Sequence, residues 1–221
     1  MHLKALDPLF AEMNEATENA ISELPARERV LLNVVADVCQ QTLGHPFEEH
    51  VLAGQQAGVT ADDFRELLRF ISYDSGYPAA AEALRRLVEI EQTHGLPEPT
   101  GRGHDLNLTG TESPIPAGTR QAVRTLDKGF ADYMDLQSRM RAGMQQISVR
   151  ERAFATVTVD VLYQTLAESF EVHVSRALRT GATPEEVRAV VRFAAQFGMT
   201  KAWRAMRALD ALLSGTGTVL P

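Results

Sequence analysis

From Val30 to Val38 the apolar positions Val30, Leu31, Val34, Val35 and Val38 recur at helical spacing, so one stripe of this segment is built for burial. Pro25 precedes it, where a first-turn proline is tolerated. Further along, Thr60-Ala61-Asp62-Asp63 and Thr183-Pro184-Glu185-Glu186 each place a hydroxyl before two early carboxylates. The hydroxyl can accept from the third-residue amide, and the carboxylates complement the helix dipole. Gly58 and Gly181 stand just before these starts and suit the left-handed exit of a preceding helix. Nothing sustains the period-two alternation of a strand. The pattern predicts an all-α chain in which an entry helix, a long apolar helix, a shorter helix, a capped helix and a final helix occur twice.

The second set is a copy of the first. Arg27-Glu28-Arg29 recurs as Arg150-Glu151-Arg152, and at the same offset Asp37 matches Asp160, Phe47-Glu48 matches Phe170-Glu171, and His50-Val51 matches His173-Val174. After a one-residue deletion Gly76 matches Gly198, Ala83 matches Ala205 and Leu87 matches Leu209. The entry helices share Leu6-Asp7-x-x-Phe10-Ala11 against Leu126-Asp127-x-x-Phe130-Ala131. A register held over so many segments reads as duplication. From Gly95 to Gly118 the chain carries four prolines and five glycines, too many for a helix to persist. The expected organisation is a first repeat over 1–94, a linker over 95–118 and a second repeat over 119–221.

Charge and cysteine usage narrow the chemistry. The formal net charge is -7, with the acidic residues spread along the chain, which argues against a nucleic-acid partner. No apolar run approaches a membrane span. Residues Met1 to Pro8 lack the charged and apolar regions of a signal peptide. A lone cysteine, Cys39, can form neither an internal disulfide nor a Cys-x-x-Cys centre. The expectation is a cytoplasmic protein with a small-molecule partner, no nucleic acid and no membrane.

One stretch carries a family likeness. It runs from His50 through Ala57-Gly58-Val59-Thr60 and Asp62-Asp63 to Tyr73-Asp74-Ser75-Gly76-Tyr77-Pro78-Ala79-Ala80 and Ala83-Leu84, and His173 to Leu209 repeats it. This resembles the carboxymuconolactone decarboxylase and alkylhydroperoxidase D superfamily, with its helix-borne His, capped helix start and Tyr-x-Gly-x-Pro-Ala-Ala turn. The resemblance implies an alkylhydroperoxidase D-like all-α fold in which the duplicated chain forms an intramolecular pseudo-dimer. It also implies a homo-oligomer, with a trimer of two-repeat chains standing in for a hexamer. Two chemistries come with it: cofactor-free decarboxylation of a small carboxylated lactone, and peroxide reduction through two cysteines upstream of the His.

The departures decide between them. Seven and four residues before His50 stand Leu43 and Pro46, and before His173 stand Leu166 and Ser169. Neither copy can form the disulfide, so thiol peroxidase chemistry is excluded. The acidic residue that decarboxylase-like members carry about four before the His is replaced by the same Pro46 and Ser169.

His50 and His173 are the candidate general acid/base groups, since imidazole is the side chain suited to proton transfer near neutral pH. Glu48 and Glu171, two residues before each His, are candidate carboxylate partners, although residues two apart point to opposite sides of a helix. Asp37 and Asp160 are expected on the polar side of their helices. His45 with His50 lacks metal-ligand spacing, and no metal or other cofactor is expected. Cys39 is expected to be a small core residue. Tyr73, Tyr77, Phe197 and Trp203 are candidate walls of an apolar substrate pocket. The leading expectation is a cofactor-free lyase, decarboxylase or isomerase acting on a small carboxylated or lactone substrate. The alternatives are a non-catalytic oligomeric ligand-binding or scaffolding protein, and an oxidoreductase that does not use a cysteine pair.

Overall fold

The computed structural model describes residues 3–101, 103–110 and 114–215. Among these the chain is helical, with no strand: α1 (Leu3–Leu6), α2 (Pro8–Asn19), α3 (Ala26–Gln40), α4 (His45–Gln56), α5 (Ala61–Ser75), α6 (Tyr77–His94), α7 (Ala117–Leu126), α8 (Lys128–Met140), α9 (Val149–Tyr163), α10 (Glu168–Arg179), α11 (Pro184–Ala194), a 3-10 turn (Ala195–Phe197) and α12 (Met199–Leu213). None of them is long and apolar enough to cross a membrane.

The predicted helix starts form as the residues dictate. Thr60 Oγ1 accepts from the Asp63 amide at 3.1 Å while Asp63 Oδ2 accepts from the Thr60 amide at 2.8 Å. Thr183 and Glu186 repeat this reciprocal cap at 3.2 and 2.7 Å. Each satisfies two amides that helix geometry leaves without partners. The shared Leu-Asp-x-x-Phe trace also acquires a reason. Asp7 caps α2 by accepting from the Leu9 and Phe10 amides, and Asp127 caps α8 by accepting from the Phe130 amide. Gly58 at φ +74° and Gly181 at φ +93° take the left-handed exits expected of them.

The chain forms two compact units that cut across the repeats. The first comprises residues 1–42 and 149–221, the second residues 43–148. In the first, α3 of one copy packs along α9 of the other, and α10, α11 and α12 pack around α9. From Ala153 to Leu162 every residue of α9 is buried, so this helix is apolar on nearly all sides, as a central helix must be. Its Thr156 and Thr158 hydroxyls donate to carbonyls of the preceding turn, which spares an unpaired buried group. Phe154 and Phe170 are fully enclosed, each contributing about 1.5–3 kcal/mol of burial.

The repeated Arg-Glu-Arg motif explains how α3 and α9 find their register. Arg27 Nε donates to Glu151 at 2.7 Å, and reciprocally Arg150 Nε donates to Glu28 at 2.7 Å. One motif, used twice, makes a two-fold-like pair of bridges between the copies. Arg150 also reaches Glu186 at 2.9 Å and lies over the Phe154 ring, 4.5 Å from its centre.

In the second unit α5 and α6 form a hairpin around Gly76 at φ +94°, α4 packs on α6, and α7 pairs with α8. Thr100 donates its amide and hydroxyl to Asp62 Oδ2 at 2.9 and 2.7 Å, which holds that carboxyl below its ordinary range. Glu66 is buried and accepts from the Gln145 and Ile147 amides at 3.0 and 2.9 Å. Arg65 and Glu91 form a bidentate pair with both distances at 2.6 Å. These buried carboxylates are all met by donors, as burial requires.

Candidate functional site

The best-defined cluster of proton-active side chains lies in the first unit, where α9 ends and α10 begins. Asp160 sits in the last turn of α9 with its side chain only 3% exposed. Just after the helix, Gln164 adopts a left-handed φ of +61°, and its side-chain amide donates to the Val161 and Lys201 carbonyls at 2.6 and 3.1 Å. Those bonds hold a conformation that a non-glycine residue seldom adopts. The turn folds Thr165 back onto Asp160: its amide donates to the Asp160 carbonyl at 3.0 Å and its hydroxyl to Asp160 Oδ1 at 2.6 Å.

α10 supplies the rest. Ser169 and His173 are four residues apart and therefore share a face. Ser169 Oγ donates to Asp160 Oδ1 at 2.7 Å, and His173 Nδ1 lies 2.6 Å from Asp160 Oδ2. Both carboxylate oxygens are thus engaged, one by two hydroxyls and the other by the imidazole. A carboxylate can only accept, so the network assigns the proton to Nδ1 and leaves Nε2 as the working nitrogen. The His173 side chain is 12% exposed, enclosed but not sealed. A fixed ring with a carboxylate behind it can accept a proton at Nε2, or deliver one from the cationic form while Asp160 balances the charge.

This corrects the expectation that Asp37 and Asp160 lie on a polar side. Both are buried. The apolar neighbours that made a solvated position doubtful extend all round α9, and the carboxylate is satisfied from outside its own helix. The first copy builds the same turn: Gln41 at φ +58° donates from its side chain to the Val38 carbonyl at 2.7 Å, and Thr42 donates to Asp37 Oδ1 at 2.7 Å. The missed signal was the repeated Gln-Thr pair, Gln41-Thr42 and Gln164-Thr165, standing four and five residues after each Asp.

The other sequence candidates fall in different places. His50 is half-buried in α4. Glu48 accepts from Arg86 at 2.6 Å and pairs with His94 at 2.8 Å, and the His94 hydrogen bond foremost keeps its carboxyl below the ordinary range. Glu171 is exposed. Tyr73 lies under the Arg141 guanidinium, 3.9 Å from the ring centre, with Asp74 also on Arg141 at 3.3 Å. Tyr77 opens α6 and is exposed, and Phe197 packs on Phe193 with ring centres 5.9 Å apart. Trp203, on α12, lines an apolar groove of about 1030 Å³ in the first unit. The second unit has a smaller cavity of about 460 Å³ beside Asp62 and Thr100. Neither is lined by His50 or His173. Cys39 is half-buried; burial first, and then this thiol, push the Tyr163 phenol up to about 12, so the phenol stays protonated. Among the described residues no group of three or more His, Cys, Asp or Glu side chains is gathered to hold a metal ion.

Three comparisons set the chain beside known proteins. The family model described as the carboxymuconolactone decarboxylase family matches twice, over residues 8–89 and 130–211. Curated proteins give no match. Among solved structures, a protein from Burkholderia xenovorans LB400, described as a candidate gamma-carboxymuconolactone decarboxylase subunit, superposes with a TM-score of 0.53 at 20% identity. The alignment covers 97% of this chain and 90% of that one. At that identity the likeness concerns the fold.

Proposed function

The chain belongs to the carboxymuconolactone decarboxylase family, and on that premise we propose that it is a cofactor-free lyase or isomerase acting on a small carboxylated lactone, with His173 as its proton-transfer group. The observation that carries the reading is the buried Asp160 carboxylate held 2.6 Å from His173 Nδ1. In a decarboxylation the bond between the substrate carbon and its carboxylate breaks and carbon dioxide departs. The electron pair passes into the conjugated lactone carbonyl as an enolate. Carbon is then protonated from Nε2 of the cationic His173, and the ring regains its proton from water. An isomerisation would use the same nitrogen to remove a proton and return it elsewhere. Asp160 is a positioning residue: it fixes the tautomer, and Ser169 and Thr165 keep its own carboxylate in place.

The test is turnover of a panel of small carboxylated lactones, followed by carbon dioxide release and by proton exchange at the lactone carbon. His173→Gln should lower kcat by about 100- to 10,000-fold. Asp160→Asn should lower it by about 100-fold or more, because an amide presents the wrong partner to Nδ1. Undiminished turnover in His173→Gln would remove the mechanism.

A second reading, a ligand-binding module without catalysis, is favoured by one observation: the apolar groove is lined by neither His50 nor His173. Saturable ligand binding with no turnover of any panel member would support it.

A further inference from the structure

In the first unit, residues of α2 line one groove together with residues of α11 and α12, and α2 buries no residue of its own. Phe10 and Met13 face the groove from one side, Val191, Met199 and Trp203 from the other, with Ile21 among its lining residues. Phe10, Met13, Met199 and Trp203 are each more than half exposed. Large apolar side chains gathered around one concavity of about 1030 Å³ form a site of ligand dimensions, apolar walled with few polar groups.

Its charge says what kind of ligand. Two guanidinium groups line the groove, Arg192 and Arg207. Arg192 is already taken by Glu23 at 2.5 Å and Glu185 at 2.8 Å. Arg207 is exposed, with Arg204 three residues before it on the same helix. The duplicated module supplies the control. Arg207 corresponds to Arg85 on α6, and there the residue three before is Glu82, which pairs with Arg85. In the second copy Arg204 stands in that place, so the cation on the groove has a like charge where Arg85 has a carboxylate. The carboxylates of α2, at Glu12, Glu15 and Glu18, are not among the groove-lining residues.

We infer that this groove binds an amphipathic anion, with an apolar chain or ring system between α2 and α12 and its carboxylate on Arg207. The inference is independent of the His173 chemistry, since that residue does not line the groove.

Trp203 is the sole tryptophan of the chain, so its fluorescence reports the groove directly. The full-length protein is titrated with decanoate below its micellar concentration, and in parallel with decan-1-ol. Decanoate should shift Trp203 emission saturably, and decan-1-ol should do so more weakly. Arg207→Glu should weaken decanoate by about fivefold or more while leaving decan-1-ol within twofold. Met13→Asp, on a helix with no buried residue, should weaken both without affecting folding. Absence of a saturable response to either probe overturns the inference. So does equal binding of the two probes that Arg207→Glu leaves unchanged. A Trp203 spectrum that varies with protein concentration, with a scattering mass above one chain and exclusion of decanoate, also overturns it and assigns the groove to a second copy.

Discussion

The ends of α3 and α9 hold the same backbone device in two copies of one sequence. Each carries a buried Asp in its last turn, exits through a left-handed Gln four residues later, and folds the next Thr back onto the carboxylate. They part at the next contact. Ser169 gives Asp160 a second hydroxyl, whereas its counterpart Pro46 has no side-chain donor to offer. The final helices diverge likewise, Glu82 neutralising Arg85 on α6 while Arg204 replaces that acid on α12. The duplication kept the Asp, Gln and Thr that fix each turn and let other side chains differ, Pro46 against Ser169 and Glu82 against Arg204.

The sharpest way to break this comparison is to remove the two histidines one at a time. If the copy with the serine-supported Asp carries the chemistry, His173→Gln removes about 100- to 10,000-fold of kcat and His50→Gln a much smaller part. Equal losses would show that the Ser169-to-Pro46 difference has no catalytic consequence.

Stability gives the next largest effect. Asp160→Ala leaves Thr165, Ser169 and His173 without their acceptor, and should cost about 3 kcal/mol in urea unfolding. A cost below about 1 kcal/mol would mean that water replaces the carboxylate and that the network is not a preorganised one.

The reciprocal bridges between α3 and α9 are a second internal comparison. Arg150 holds Glu28 and Glu186 and covers Phe154. Arg150→Ala should therefore cost about 2 kcal/mol, and Arg27→Ala about 1 kcal/mol. A double-mutant cycle on each pair would show whether the two-fold-like bridges are equal in energy, which would contradict that ordering.

The smallest effect is a pH dependence. The Arg150 hydrogen bond foremost, with the Thr183 amide behind it, holds the Glu186 carboxyl down at about 2, against an ordinary 4.5. A folded value below the unfolded one makes the contribution complete above pH 4.5 and lost as pH falls toward 2. Glu186→Gln should flatten that limb of the acid unfolding curve and leave stability at pH 7 lower by about 1 kcal/mol or less. An unchanged acid limb would mean that the bridge is too solvated to count.

Much of the fold was legible because its signals are local. Thr60 and Thr183 lie next to the carboxylates that complete their caps, and the αL exits at Gly58 and Gly181 are single-residue requirements. The repeat made each signal count twice. The site was less legible. The family resemblance points to His173, whereas Glu48 and Glu171 stand out only by adjacency, and residues two apart on a helix do not bring their side chains together. The burial of Asp160 is not legible in its own helix, because its partners come from 5, 9 and 13 residues further along the chain.

The sequence by itself determined the helical class, the duplication, the family and the exclusion of disulfide chemistry, since each depends on local propensity, register or the presence of a residue type. Only the tertiary structure decided that the repeated Arg-Glu pairs bridge the two copies and that the compact units cut across the repeats. It alone showed that Asp160 is buried against His173, and that Arg207 sits on an apolar groove. Those facts depend on which helix faces arrive together, and that is set by packing between segments far apart in the chain.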